Sequence, residues 1–211
     1  MTETTQTELD LGSDCPLEIS GIMEIGWKGP FAVPGFEKIN GLPPLVGGQG
    51  VYLINFKYDG GYIIWYGGMT GRTFRERFAQ HRRNYRDGKH GLLDIGQAQQ
   101  GVNSEIWAYH GERQIDQTAF ELQDGRAAVE RQLAAYHLFV TDQTLPSRRL
   151  QFRLEAAILR TIDRNGTLLW DRPDWTKRWS LSPRRVNEAP ILAINIGAVD
   201  QLYDLPRELI F

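Results

Sequence analysis

The chain has 211 residues, 41% hydrophobic and 24% charged, the balance of one ordinary globular domain rather than a disordered or fibrous chain. No apolar run approaches the roughly 18 residues of a membrane span, and the acidic start MTETTQTELDLGSD lacks the features of a signal peptide, so a cytosolic location and no membrane partner are expected. Cys15 is the only cysteine, which excludes an internal disulfide and argues against a cysteine-based zinc site.

The formal net charge of −2 argues mildly against nucleic acid as a partner, because phosphate backbones favour basic surfaces. The average hides an asymmetry. The first 25 residues carry Glu3, Glu8, Asp10, Asp14, Glu18 and Glu24 and no Lys or Arg. Residues 72–90 carry Arg72, Arg75, Arg77, Arg82, Arg83, Arg86 and Lys89 against Glu76 and Asp87, a local net charge of +5, enough for a phosphate-facing patch.

In chain order, residues 1 to about 15 read as a loosely docked polar arm. Residues 28–49, rich in Gly and Pro, read as irregular structure leading into the core. GVYLINF (50–56) and YIIWYGG (62–68) flank Asp59-Gly60-Gly61, which predicts a β-hairpin. Thr70 or Thr73 caps a helix to about Tyr85, with Phe74, Phe78 and His81 on one face and the Gly88 region ending it. SEIWAYH (104–110) is a candidate third strand. Residues 127–140 read as an amphipathic helix with Val129, Leu133, Tyr136 and Val140 on one side. Ser147 caps the next helix, with Leu150, Leu154, Ala157, Ile158 and Ile162 as its buried stripe and Asn165-Gly166 at its end. Trp170, Trp175 and Trp179 stand among basic residues, equally suited to stacking on bases or to packing. PILAINI (190–196) is a candidate late strand.

The residues with chemistry gather on the first of these elements. Tyr52 and Tyr66 lie on paired strands and are expected on one face of the hairpin. Arg77 and His81 share a face of the following helix. Two phenols, a guanidinium and an imidazole can bind a phosphodiester, shuttle protons and offset transition-state charge. A carboxylate for a metal is still needed. Glu155, in the otherwise apolar stretch LEAAIL, is the best candidate and Glu130 the rival. His110 and His137 read as structural or surface residues.

Gly50-Val51-Tyr52 followed by Tyr66-Gly67-Gly68 resembles the paired motif of the GIY-YIG nuclease family. Met69-Thr70-Gly71, Arg77-x-x-x-His81, a second histidine at His90, and Leu154-Glu155 extend the resemblance over about residues 50–110 and 148–165. Two features depart from the pattern. Gly67 replaces a β-branched residue, at a position expected to point away from the site and so to tolerate the change. The separation of Tyr52 from Tyr66 is also long.

The resemblance implies an α/β (α+β) fold with a small three-stranded antiparallel sheet flanked by helices. The layout is then an acidic arm (1–27), a nuclease domain (28–166) with an insertion at 111–147, and a C-terminal extension (167–211). It also implies phosphodiester hydrolysis with Mg²⁺, or Mn²⁺ in its place. Tyr52 would be or would position the base, Tyr66 would hydrogen-bond in the cluster, Arg77 would bind the scissile phosphate, and His81 would aid proton transfer or phosphate binding. His90 would contact phosphate and Glu155 would bind the metal. Arg72, Arg75, Arg82, Arg83, Arg86 and Lys89 are the candidate DNA contacts.

The expected function is DNA cleavage by a restriction or defence endonuclease, with a homodimer plausible for double-strand cutting. The alternatives are a structure-specific repair or mobile-element nuclease, and a non-catalytic DNA-binding module with the same fold.

Overall fold

The computed structural model describes residues 19–107, 120, 124–141, 145–165, 169 and 181–211. Cys15, His110, Trp170, Trp175 and Trp179 lie outside them. The elements are β1 (Gly21–Phe31), α1 (Glu37–Asn40), β2 (Gly50–Tyr58), β3 (Gly61–Thr70), α2 (Phe74–Arg86), β4 (Leu92–Leu93), α3 (Ile95–Ala98), β5 (Glu105–Trp107), α4 (Gly125–Ala135), β6 (His137–Thr141), α5 (Arg148–Asn165), β7 (Ile191–Gly197), a 3₁₀ turn (Ala198–Gln201), β8 (Leu202–Tyr203) and β9 (Glu208–Ile210). No helix among the described residues is long and apolar enough to cross a membrane.

The expected three-stranded antiparallel sheet is not what forms. The sheet is curled, mixed and seven-stranded, in the order β8-β3-β2-β6-β1-β7-β9. Two of its pairings, β3 with β8 and β1 with β7, are parallel. Three of the seven strands, β1, β8 and β9, come from segments not read as strands, whereas β7 is the late strand expected at 190–196. In β1 the glycines and the charges of Glu24 and Lys28 obscure the pattern. Ile25 and Trp27 are nonetheless buried, and Trp27 Nε1 donates to Asn195 Oδ1 of β7 at 2.9 Å.

The strand beside β2 is β6, not the 104–110 segment, of which residues 105–107 pair with β4 in a separate two-stranded sheet. The helix expected over 127–140 stops at Ala135, and Tyr136 turns extended. HLFVT then fills the slot between β2 and β1. The spacing of Tyr136 and Val140 fits a helix, but the β-branched and aromatic run is taken by the sheet, where Leu138, Phe139 and Val140 are fully buried.

The hairpin and the two caps form as expected. Asp59 and Gly60 take positive φ of 40° and 79°, the requirement of the tight turn that joins β2 to β3. Thr73 and Glu76 form a reciprocal capping box at the start of α2. Ser147 Oγ accepts from Leu150 N at 3.2 Å at the start of α5.

Strand β2 is central and covered on both faces. On one, Phe78 of α2 meets the Tyr52 ring edge-on at 5.1 Å. On the other, α5 approaches so closely that a Cβ on Gly67 would lie 2.8 Å from Leu159 Cδ2. Each large apolar side chain buried in these layers contributes about 1.5–3 kcal/mol.

Candidate active site

Register decides whether the two tyrosines meet. Outward from the turn, Tyr58 pairs with Gly61 and Asn55 with Ile64, a register that would set Tyr66 opposite Leu53, on the far face from Tyr52. A bulge intervenes, so that Ile54 pairs with Tyr66 and Tyr52 with Gly68. The extra residue, Trp65, turns Tyr66 onto the Tyr52 face. The ring centroids are 6.2 Å apart, and the Tyr66 hydroxyl interacts electrostatically with Tyr52 and Arg77. Gly68 completes the fit, because a Cβ there would lie 2.5 Å from the Tyr52 hydroxyl.

Helix α2 presents its groups to that face. Arg77 Nε donates to the Tyr52 hydroxyl at 2.9 Å, and the hydroxyl lies 2.9 Å from His81 Nε2. Because Arg77 can only donate, the phenol oxygen accepts from it and its own proton is free to point at His81 Nε2. Tyr52 is fully buried and His81 is 5% exposed. Burial, and then the neighbouring Tyr66, push the Tyr52 hydroxyl well above the ordinary phenol range, against the pull of Arg77. Burial, then Arg77 and His90, hold His81 well below its ordinary value, so it is neutral at pH 7. The chain of groups thus pairs a protonated phenol with an imidazole able to accept.

His90 stacks near His81, with centroids 5.4 Å apart, and nearer Tyr85 at 4.6 Å. Burial, then Arg77, lowers it to about 4. Its Nε2 is buried with no partner among the described residues. The loop leading on from it is fastened by Gln132 of α4, which accepts from Leu93 N at 2.7 Å and donates to Gly91 O at 3.3 Å. Gln132 also joins a buried pair of hydroxyls, Tyr85 and Tyr136.

Glu155 arrives from the other face. Helix α5 runs antiparallel to β3, with Leu159 over Gly67 and Glu155 at Met69, whose N–H donates to Glu155 Oε1 at 3.0 Å. Burial raises the half-buried Glu155 to about 7, opposed by the Met69 N–H and Arg77. Glu130 is elsewhere. It is half-exposed on α4 and paired with Arg86 at 2.6 Å.

A cleft of about 510 Å³ opens beside these groups, lined by Met69, Thr70, Gly71, Arg72, Arg77, Gln80 and Arg148. Arg148 was not singled out from the sequence. It stands seven residues before Glu155, about two turns along the same face, and that spacing is the signal that could have found it.

The expected DNA contacts divide. Arg72 lines the cleft with Arg77. Arg75, Arg82, Arg83 and Arg86 line a second cleft of about 350 Å³ with Pro34 and Gly35, roughly 120–180° around α2 from Arg77 at about 100° per residue. Within it, Arg82 Nη1 donates to Pro34 O at 3.0 Å. Lys89 pairs with Asp87 at 2.8 Å.

Among the described residues no three His, Cys, Asp or Glu side chains gather into a metal site. A magnesium ion, however, keeps several waters and uses one or two carboxylates plus substrate phosphate. Glu155, with one oxygen held by Met69 N–H, has a second oxygen to offer and fits that requirement. Compared with family models, with curated proteins and with solved structures, the chain matches none.

Proposed function

We propose that this chain is a magnesium-dependent DNA endonuclease of the GIY-YIG type, of the restriction or defence kind. The observation that supports it best is the hydrogen-bonded run Arg77–Tyr52–His81 at the wall of a basic cleft, with Glu155 in electrostatic reach of Arg77. Each member has a part in phosphodiester hydrolysis.

Arg77 lines the cleft and offers its charge to the scissile phosphate, while its Nε orders the Tyr52 phenol. The proton released by an attacking water passes through the phenol hydroxyls to His81 Nε2, since the buried Tyr52 does not rest as a phenolate. Water attacks phosphorus, the bond to the leaving oxygen breaks, and that oxygen takes up a proton from solvent, to which His81 then releases the one it accepted. Glu155 would hold Mg²⁺ or Mn²⁺, which when bound supplies Lewis-acid stabilisation of the phosphate. Arg72 and Arg148 hold the strand in the cleft. The reading carries with it a cytosolic enzyme whose partner is DNA and which pairs with a second copy to cut both strands.

Incubating the protein with plasmid DNA, with and without Mg²⁺, and mapping the ends tests it. Metal-dependent nicking or cutting that is lost in Glu155→Gln supports the reading. Intact plasmid with Mg²⁺ and with Mn²⁺ overturns it.

A further inference from the structure

Helix α5 carries a second set of functional-looking residues on its opposite side. Arg153, Arg160 and Arg164 point roughly 140–180° away from Glu155, at about 100° per residue. With Arg184, Pro183 and Ile210 they line a cleft of about 310 Å³. Among the described residues, four guanidinium groups and no acidic side chain line it.

Three features of these arginines call for an anion. Arg160 and Arg164 are exposed and have no partner among the described residues. They lie one turn apart, where like charges repel and weaken the helix. Arg164, in the last turn, gains from the helix dipole, but Arg160 lies a turn earlier. Arg153 is only 5% exposed, and although its Nη2 donates to Ala189 O and Phe211 O, its Nε is buried without a partner among the described residues. A charged donor left so is costly unless an acceptor completes it. Glu188, the carboxylate in electrostatic reach of Arg153, does not supply one. It is held by Arg149 through Nε at 2.7 Å and Nη2 at 2.6 Å, and by Arg185 N.

We propose that this cleft is a second phosphate-binding site, which grips the sugar–phosphate backbone of nucleic acid away from the cleavage cleft. Guanidinium forks match phosphate oxygens in pairs, and the apolar side chains of Pro183 and Ile210 give a sugar a surface to rest on. The proposal extends the nuclease reading by adding a contact that anchors the strand without touching the chemistry.

The test compares Arg160→Ala/Arg164→Ala with a control that removes the same charge elsewhere, Arg131→Ala/Arg207→Ala. Both control residues are exposed, on α4 and near β9. Duplex binding is followed by anisotropy across salt without divalent metal, with pyrophosphate as a second ligand.

The cleft variant is expected to melt like wild type, to bind duplex about tenfold more weakly, and to show a salt slope lower by about two, one per lost phosphate contact. The control keeps most of its affinity. Equal losses in both variants overturn the site in favour of net charge alone. Unchanged duplex binding by the cleft variant overturns it outright. Loss of pyrophosphate binding with duplex binding intact reassigns the cleft to a free polyphosphate, which also overturns it. Plasmid cleavage by wild type with Mg²⁺ reports separately on the nuclease reading: cutting with unchanged duplex affinity in the cleft variant sinks only the second site, and the converse sinks only the nuclease.

Discussion

Gly68 lies directly under the phenol of Tyr52, at a place where a Cβ would come within 2.5 Å of the hydroxyl oxygen and 2.7 Å of Cζ. The second glycine of the Tyr66-Gly67-Gly68 run is thus a spatial requirement of the tyrosine on the neighbouring strand. Gly67 answers to the opposite face, where a Cβ would meet Leu159 and Leu53.

These two glycines give paired expectations. Gly68→Ala displaces the Tyr52 hydroxyl from Arg77 Nε and His81, and a shift of about 1 Å in a reacting group costs about 10²-fold in rate. Gly67→Ala pushes on Leu159 and costs about 1–3 kcal/mol of stability as overpacking, with turnover largely kept. Single-turnover cleavage and thermal melting of both variants check this. Equal activity in the two would remove Tyr52 placement as the reason for Gly68.

The pH dependence of stability follows from Glu155 and His90, with opposite signs. Burial raises Glu155 to about 7 from an ordinary 4.5. Its contribution to stability is fully present below about pH 4.5 and is lost as the pH rises through about 7. Burial lowers His90 to about 4 from 6.5. Its contribution is present above about pH 6.5 and is lost as the pH falls through about 4. Glu155→Gln is therefore expected to melt higher than wild type at about pH 8 and to lose that advantage at about pH 5. Mg²⁺, which needs the carboxylate ionised, should raise the wild-type melting temperature more at the higher pH. A melting difference that does not change with pH contradicts this account of Glu155.

The parts of this fold readable from sequence are the local ones. Asp59-Gly60 closes a hairpin because both residues take positive φ, and Thr73 with Glu76 caps α2 within one turn. The parts that were not readable depend on distant partners. His137–Thr141 continues a helical spacing, yet becomes a strand because β1 and β2 leave a slot for it. Tyr52 and Tyr66 share a face as expected, but for a reason the sequence does not show: the bulge at Trp65, without which counting from the turn places them on opposite faces. Arg148 reaches the cleft only because α5 lies antiparallel along β3.

The division of the arginines predicts two different phenotypes on α2. Arg72 lines the cleavage cleft, whereas Arg83 lines the cleft beside Gly35 on the far side of the helix. Arg72→Ala, like Arg148→Ala, should lower kcat/KM by about tenfold or more, the loss of a charge-assisted contact. Arg83→Ala should leave kcat unchanged. Arg82→Ala should also lower stability by about 1 kcal/mol through the lost bond to Pro34 O. Steady-state kinetics on the four variants decides it, and a drop in kcat for Arg83→Ala would place the substrate on the wrong side of α2.

Tyr52→Phe tests the proton route most directly. The change removes the oxygen that accepts from Arg77 Nε and that lies 2.9 Å from His81 Nε2, while the ring keeps its contacts with Phe78 and Tyr66. Leaving those two groups without their partner costs about 1–3 kcal/mol of stability, so the variant is expected to fold and bind DNA. Loss of a positioned proton-transfer group lowers the rate by about 10²–10⁴-fold. His81→Ala should produce a fall of the same order. If the two act in series, Tyr52→Phe/His81→Ala will be little worse than either single change, since a route broken once is not broken further. If the losses multiply, Tyr52 and His81 act independently, and the proton does not pass from one to the other. Single-turnover cleavage by the two singles and the double, at saturating Mg²⁺, separates these outcomes.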